Sequence, residues 1–194
     1  MEKTVFRQIL ELVPQRSFRR IAERHESCHG NQRVTAWEQF IYMSFAQLTH
    51  CNGLRDIQIS FRAMSHKGYH LGLQADLARS NLSRANNTRP SIIFKSLVQL
   101  LIKEARVLYK DDKFENELNE VVYVLDSTYI SLCLSLFPWG KIGKQNIAGI
   151  KVHTLLDLRG SIPSFIDVSK GSSPDNKVLD QINIEPGAFY VMDK

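Results

Sequence analysis

Apolar residues recur at helical spacing through the first half of the chain and gather into strand-like runs in the second. Val5, Phe6, Ile9, Leu10 and Val13 mark one face of a helix over 4–13, and Pro14 closes it. Residues 17–26 predict a second, short and basic helix. Thr35 and Glu38 stand at capping-box spacing ahead of AWEQFIYMSFAQL, a strongly apolar helix. Residues 54–64, LRDIQISFRAM, repeat the helical period, and a loop with Gly68 and Gly72 follows. Ser80 is the expected cap of a polar helix, NLSRANN. Pro90 then takes a first-turn position before SIIFKSLVQLLIKEARVLY, the longest helical signal in the chain.

The character changes around residues 110–120, where DDKFENELNE reads as a linker or a solvated helix end. EVVYVLD is a continuous apolar run closing on an acid, and STYISLCLSLF alternates with β-branched and aromatic residues. NIAGIKVHTLLD and SIPSFIDVS, joined by Leu158, Arg159 and Gly160, predict a hairpin. SSPDNKVLDQI has helix-start chemistry, with Ser173 as cap, Pro174 in the first position and Asp175 in the first turn. The last run, GAFYVMD, is again apolar and again ends on an acid.

This order predicts an α+β chain with an all-helical basic domain over 1–112 and a second domain over 118–194. If the first strands form an antiparallel meander, the helix after them is a crossover that returns the last strand parallel to the first. VVYVLD and AFYVMD would then be adjacent central strands, with Asp126 and Asp193 at one sheet edge. That is an incomplete ribonuclease H-like core: three antiparallel strands, a helix and a parallel fourth strand. Two such carboxylates suit Mg2+ or Mn2+, the ions of two-metal phosphoryl transfer. An aspartate closing a strand is also commonly only a turn or cap residue.

Charge divides the chain in the same way. Residues 1–110 carry 17 Lys+Arg against 8 Asp+Glu, and residues 111–194 carry 8 against 12, within a total of +5. A basic half has an electrostatic reason to meet phosphate backbones. No apolar run is long enough to span a membrane and the N-terminus lacks a signal-peptide core, so a cytoplasmic, nucleoid-associated protein is expected. Cys28, Cys51 and Cys133 form no CxxC pair, as suits a reducing compartment. With His25, His29 and His50 they match no common zinc-finger spacing.

Two stretches in the first half, WEQFIYMSFAQLTHCNGLRDIQISFRA and YHLGLQADLARSNLSRANNTR, and the motifs LDST, F-P-W, IKVHTLLDLRG-IP and FYVMDK in the second carry a resemblance. The chain resembles the insertion-sequence-four family of DDE transposases, in the subgroup with a helical N-terminal domain, over essentially its whole length. The resemblance implies that Asp126 is the first catalytic aspartate and metal ligand, and Asp193 the second. The family's third acid is a glutamate in a helical motif with tyrosine, arginine and lysine further on. Glu185 precedes the second aspartate and cannot take that role. The resemblance therefore implies a C-terminally truncated transposase that alone does not cut or join DNA. Its expected partners are double-stranded transposon-end DNA and a second copy or an intact transposase. The other reading is a non-catalytic DNA-binding regulator or inhibitor of an intact transposase, or a decayed gene product.

Further candidates for DNA contact are Arg16, Arg19, Arg20 and Arg24, a basic stripe whose bland reading is a solvated helix face. Leu54 to Asn87 is a candidate helix-turn-helix with an overlong connection, its second helix presenting Asn81 and Arg84 to bases or phosphates. Lys151 and His153 alternate on one strand and so share a face, where they are candidate phosphate contacts near the metal site. Asp157, at a hairpin turn, reads as structural, and Trp139 as either a base-stacking or a core-edge residue. A sheet ending on its fourth strand is expected to leave an exposed edge and an uncovered face.

Overall fold

The computed structural model describes residues 4–26, 33–64, 71, 73, 77–109, 121–135, 137–143, 146–174 and 176–192. The chain forms two compact units, Met1–Leu97 and Val98–Lys194.

The described part of the first unit is helical: α1 (Val5–Glu11), α2 (Gln15–His25), α3 (Ala36–Leu48), α4 (Leu54–Ala63), α5 (Arg79–Thr88) and the start of α6 (Ile92–Leu108). Two of the starts, those of α1 and α3, have a side-chain cap. Thr4 accepts from the Arg7 amide at 3.2 Å, and Pro14 separates α1 from α2. Thr35 and Glu38 make the expected reciprocal capping box, with the Glu38 amide on Thr35 Oγ1 at 3.2 Å and the Thr35 amide on Glu38 Oε2 at 2.7 Å. The start of α5 differs from the sequence expectation. Ala78 is its N-cap with no side-chain bond, and Ser80 lies inside the helix. Gly68 and Gly72, and the cysteine and histidine at 28 and 29, lie outside the described residues.

α3 is the spine of this unit. Ile41, Tyr42, Phe45 and Ala46 are buried against Leu10, Ile57, Phe61, Leu82 and Ala85. The Phe45 and Phe61 rings lie 4.6 Å apart and those of Tyr42 and Phe61 4.7 Å. A second aromatic group centres on Phe18 of α2, with Trp37, Phe40 and Phe94 at 5.7 to 6.1 Å. Burying side chains of this size contributes about 1.5–3 kcal/mol each, which fixes these short helices where intrinsic propensity would not.

The second unit is built on β1 (Val122–Leu132), β2 (Ala148–Asp157), β3 (Ile162–Lys170), the one-turn α7 (Asn176–Leu179) and β4 (Phe189–Met192). The sheet order is β3-β2-β1-β4, with β1 antiparallel to β2 and parallel to β4. This is the expected meander, crossover helix and parallel fourth strand, an α+β arrangement matching a partial ribonuclease H-like core. One detail corrects the sequence reading. VVYVLD and STYISL are one strand, because β2 pairs without a break from Tyr123↔Asp157 to Leu132↔Ala148. No glycine or proline interrupts the β-branched and aromatic run, and the strand runs through Asp126 rather than ending there.

The two faces of the sheet differ. Tyr123, Leu125 and Leu155 are buried with Phe165, Leu179, Ile182, Ala188 and Tyr190 on the face that α7 covers. The opposite face leaves Ile130, Val168, Phe189 and Val191 exposed. Among the described residues, no helix is long and apolar enough to cross a membrane.

Candidate active site

Asp126 is exposed in the middle of β1 and pairs in register with Thr154 of β2. Strand alternation puts Val124, Asp126 and Thr128 on the open face, beside Thr154 and Val152 of β2 and Ile166 and Val168 of β3. Parallel pairing with β4 runs from Val122↔Phe189 to Leu125↔Met192. Those last partners are the residues immediately before Asp126 and Asp193 in the sequence. Asp193 itself lies outside the described residues.

The surroundings of Asp126 fit a hard divalent cation. Its in-register neighbours on the open face are two threonines and aliphatic residues, and no lysine or arginine stands beside it in the ladder to neutralise the carboxylate. Oxygen donors of this kind suit magnesium, which keeps several waters and binds through one or two carboxylates. Among the described residues, no three His, Cys, Asp or Glu side chains converge to form a complete site.

Lys151 and His153 do share a face, as alternation requires, but it is the one opposite Asp126. His153 is fully buried, with Nε2 2.7 Å from Ser169 Oγ on the neighbouring strand. Its burial and that bond leave His153 turned into the protein rather than toward the phosphate expected from the sequence. Lys151 is half-buried.

At the start of β1 the covered face holds a polar cluster that the sequence did not announce. Asp157 accepts from the Arg159 amide at 3.0 Å and from its guanidinium at 2.8 and 3.1 Å, with Arg106 of α6 at 3.8 Å. Burial would raise the Asp157 pKa, but the hydrogen bonds and charge of Arg159, with the charge of Arg106, bring it below the usual carboxylate value. The Tyr123 hydroxyl donates to Glu185 Oε2 at 2.7 Å, and burial followed by that bond raises its pKa. The Tyr123–Glu185 and Arg106–Asp157 pairings left a weak signal because their partners stand tens of residues apart, each an ordinary polar residue in its own segment.

In the helical unit, Arg16, Arg19, Arg20 and Arg24 are all exposed on α2, whose buried residues are Phe18 and Ala22. Arg16, Arg20 and Arg24 follow one another at intervals of four and so line one stripe. Arg84 is exposed and Asn81 half-buried on α5. Asn86 of the same helix is exposed and accepts from the Gln39 side chain of α3 at 2.6 Å. The segment between α4 and α5 is described only at Met64, Leu71, Leu73, Leu77 and Ala78.

Residues 1–74 match the family described as a domain of unknown function (DUF4372), and residues 117–194 match the transposase DDE domain. A protein of Sinorhizobium fredii (strain NBRC 101917 / NGR234) named "Putative transposase y4zB" is 30% identical over 113 residues. That alignment covers 58% of this chain and 30% of the relative, so the chain spans less than a third of the relative's length. No solved structure matches the chain. The mixed sheet that carries LDST on its central strand thus lies in the part of the chain, residues 117–194, that matches the transposase DDE domain.

Proposed function

We propose that the chain works in DNA transposition, binding transposon-end duplex through its basic helical unit and gripping a divalent cation through Asp126 and Asp193. The observation that carries this reading is the β1–β4 ladder, whose last pair, Leu125↔Met192, immediately precedes the two acids. Continuing that register by one residue would set Asp193 beside Asp126 on the open face. The transposase DDE match supports the same assignment.

In this reading Asp126 holds Mg2+ or Mn2+ on a rigid central strand flanked by β2 and β4. A bound ion of this kind supplies Lewis acidity toward a phosphate oxygen and activates water or a 3′-hydroxyl. The exposed stripe of Arg16, Arg20 and Arg24, with Arg19 beside it and Arg84 and Asn81 on α5, supplies backbone contacts that orient the duplex. Lys151 adds positive charge to the second unit. A second copy or a longer transposase is the proposed protein partner, and the cytoplasm with its nucleoid the proposed location.

The test is Mn2+ titration followed by electron paramagnetic resonance, beside gel shifts on transposon-end DNA across a salt series. Wild type should bind the ion, and Asp126→Asn and Asp193→Asn should each weaken binding at least tenfold while keeping the fold. Replacing Arg16, Arg20 and Arg24 by Gln should weaken duplex binding and flatten its salt dependence. Equal Mn2+ affinity in wild type and Asp126→Asn would remove the metal assignment.

A further inference from the structure

No acidic residue occurs between Asp126 and Asp157, while Lys141, Lys144 and Lys151 do. This is an acid-free, lysine-bearing stretch inside a half of the chain where acids outnumber bases by 12 to 8. Its far end is where β1 and β2 run on beyond β4. Pairing with β4 stops at Leu125, whereas β1 and β2 stay paired to Leu132↔Ala148. Leu132 is six residues past Asp126, about 20 Å along an extended strand.

Two aromatic rings are presented at that end. Phe137 and Trp139 are 38% and 53% exposed, with ring centroids 6.2 Å apart, edge to face. They belong to a 3-10 turn, Pro138–Gly140 with Phe137 as its cap, that is fastened to the sheet. The Phe137 amide donates to Cys133 O at 2.9 Å and the Gly140 amide to Phe137 O at 3.0 Å, and Lys141 bridges to Ala148. Gly140 is buried, and a methyl group there would lie 3.5 Å from Leu132 Cδ1 and from the Gly149 backbone. The rings are therefore held out by a braced turn. Lys141 is exposed two residues from Trp139, and exposed Lys170 closes β3 opposite Ile150, on the same open face as Asp126.

Exposed indole and phenyl groups beside lysines, with no carboxylate in the stretch, suit a polyanion that also offers flat apolar faces. Single-stranded nucleic acid does so, since an unpaired base stacks on an aromatic ring while its phosphates meet lysines. A duplex keeps its bases stacked inside and presents no such face. We infer that Trp139 and Phe137, with Lys141 and Lys170, form a subsite for single-stranded DNA at the end of the strand that carries Asp126. The inference deepens the proposed function and takes from it that the nucleic acid is DNA.

The chain has two tryptophans, and Trp37 stacks on Phe40 at 5.6 Å, so Trp37→Phe leaves Trp139 as the reporter. Oligo-dT added to the full chain should quench Trp139 emission, with an affinity that falls as salt rises. In the parent background, Trp139→Ala should weaken oligo-dT binding about tenfold and leave gel-shift binding of duplex unchanged. Lys141→Gln with Lys170→Gln should reduce the salt slope. If Trp37→Phe fails to fold by circular dichroism, 19F resonances of fluorotryptophan-labelled parent protein replace the emission readout. Oligo-dT binding with no change at Trp139, or equal loss of duplex and oligo-dT binding in Trp139→Ala, would overturn the inference. So would a concentration-dependent Trp139 shift without DNA, which would assign the turn to a contact between copies. Loss of duplex binding alone, with Trp139 still quenched by oligo-dT, would count against the helical DNA-binding unit and leave this subsite standing.

Discussion

The Tyr123 hydroxyl and the Glu185 carboxylate, 62 positions apart, meet at 2.7 Å and tie the entry of β4 to β1. Glu185 also donates its amide to the Tyr190 hydroxyl at 2.9 Å, and the Tyr123 and Tyr190 rings stack 5.1 Å apart. β4 is a four-residue edge strand with Phe189, Val191 and Met192 largely exposed, so little apolar burial fixes its position. This Tyr-Glu-Tyr arrangement supplies the specificity of register that burial does not.

Tyr123→Phe should therefore lower stability by about 1 kcal/mol, and Glu185→Gln by less, because the amide oxygen still accepts. Urea midpoints measure both, and amide exchange at 189–192 should quicken in Tyr123→Phe. The Tyr123 pKa is raised in the folded chain by burial first and by Glu185 next. Its contribution is then complete below the ordinary tyrosine pKa of about 10 and is lost as pH climbs through the folded value. Tyr123→Phe should remove that part of the alkaline loss of stability.

Asp157 governs the acid side. Its folded pKa lies below that of an unfolded aspartate, so the stability it adds is present above about pH 4 and disappears as pH falls through the folded value. Asp157→Asn should be less stable at neutral pH and should show a flatter acid limb in thermal melts between pH 5 and pH 2. An acid limb as steep as that of the parent would mean that another carboxylate controls it.

Arg89 is a buried cation of the helical unit, its side chain 1% exposed. It donates to Glu26 Oε1 at 2.6 Å, to Val34 O at 2.9 Å and to the Gln39 side chain, linking the ends of α2 and α5 to α3. Arg89→Met would leave these acceptors without their donor and should cost about 3–5 kcal/mol. Arg89→Lys should rescue little, since one ammonium cannot reproduce the planar fork. Chemical denaturation followed by far-ultraviolet circular dichroism reads the loss.

Gly149 lies under the Tyr129 ring, whose hydroxyl donates to Ala148 O at 3.2 Å. A Cβ at 149 would overlap that ring, so Gly149→Ala must displace it and should cost about 1–3 kcal/mol. In a double-mutant cycle Tyr129→Ala should cancel most of the penalty. Additive losses would show that the strain lies in the backbone.

Local rules made the helices and the class of fold legible. Thr35 and Glu38 announced α3 because a capping box acts within four residues, and Pro14 divided α1 from α2 because its ring forbids an interior place. Continuous apolar runs marked both β1 and β4 as central, and the sheet order bears this out for β1 but makes β4 an edge strand with an exposed face. The start of α5 differs from the expected cap because Ser80 has capping chemistry but stands two residues inside the helix, past the N-cap Ala78.

The chain of residues by itself singled out the candidate site residues: an aspartate in LDST, another in FYVMD, and arginines spaced by four. Periodicity and charge are written along the chain, so no folding is needed to read them. Tertiary structure decided the rest. The β1–β2 ladder carried β1 past Asp126, and the register of β4 was set by Tyr123 and Glu185. The pairing of the strands put His153 on a buried face and left Asp126 exposed on the other. Each depends on partners tens of residues away, and a single sequence records such pairings only through the fold that brings them together.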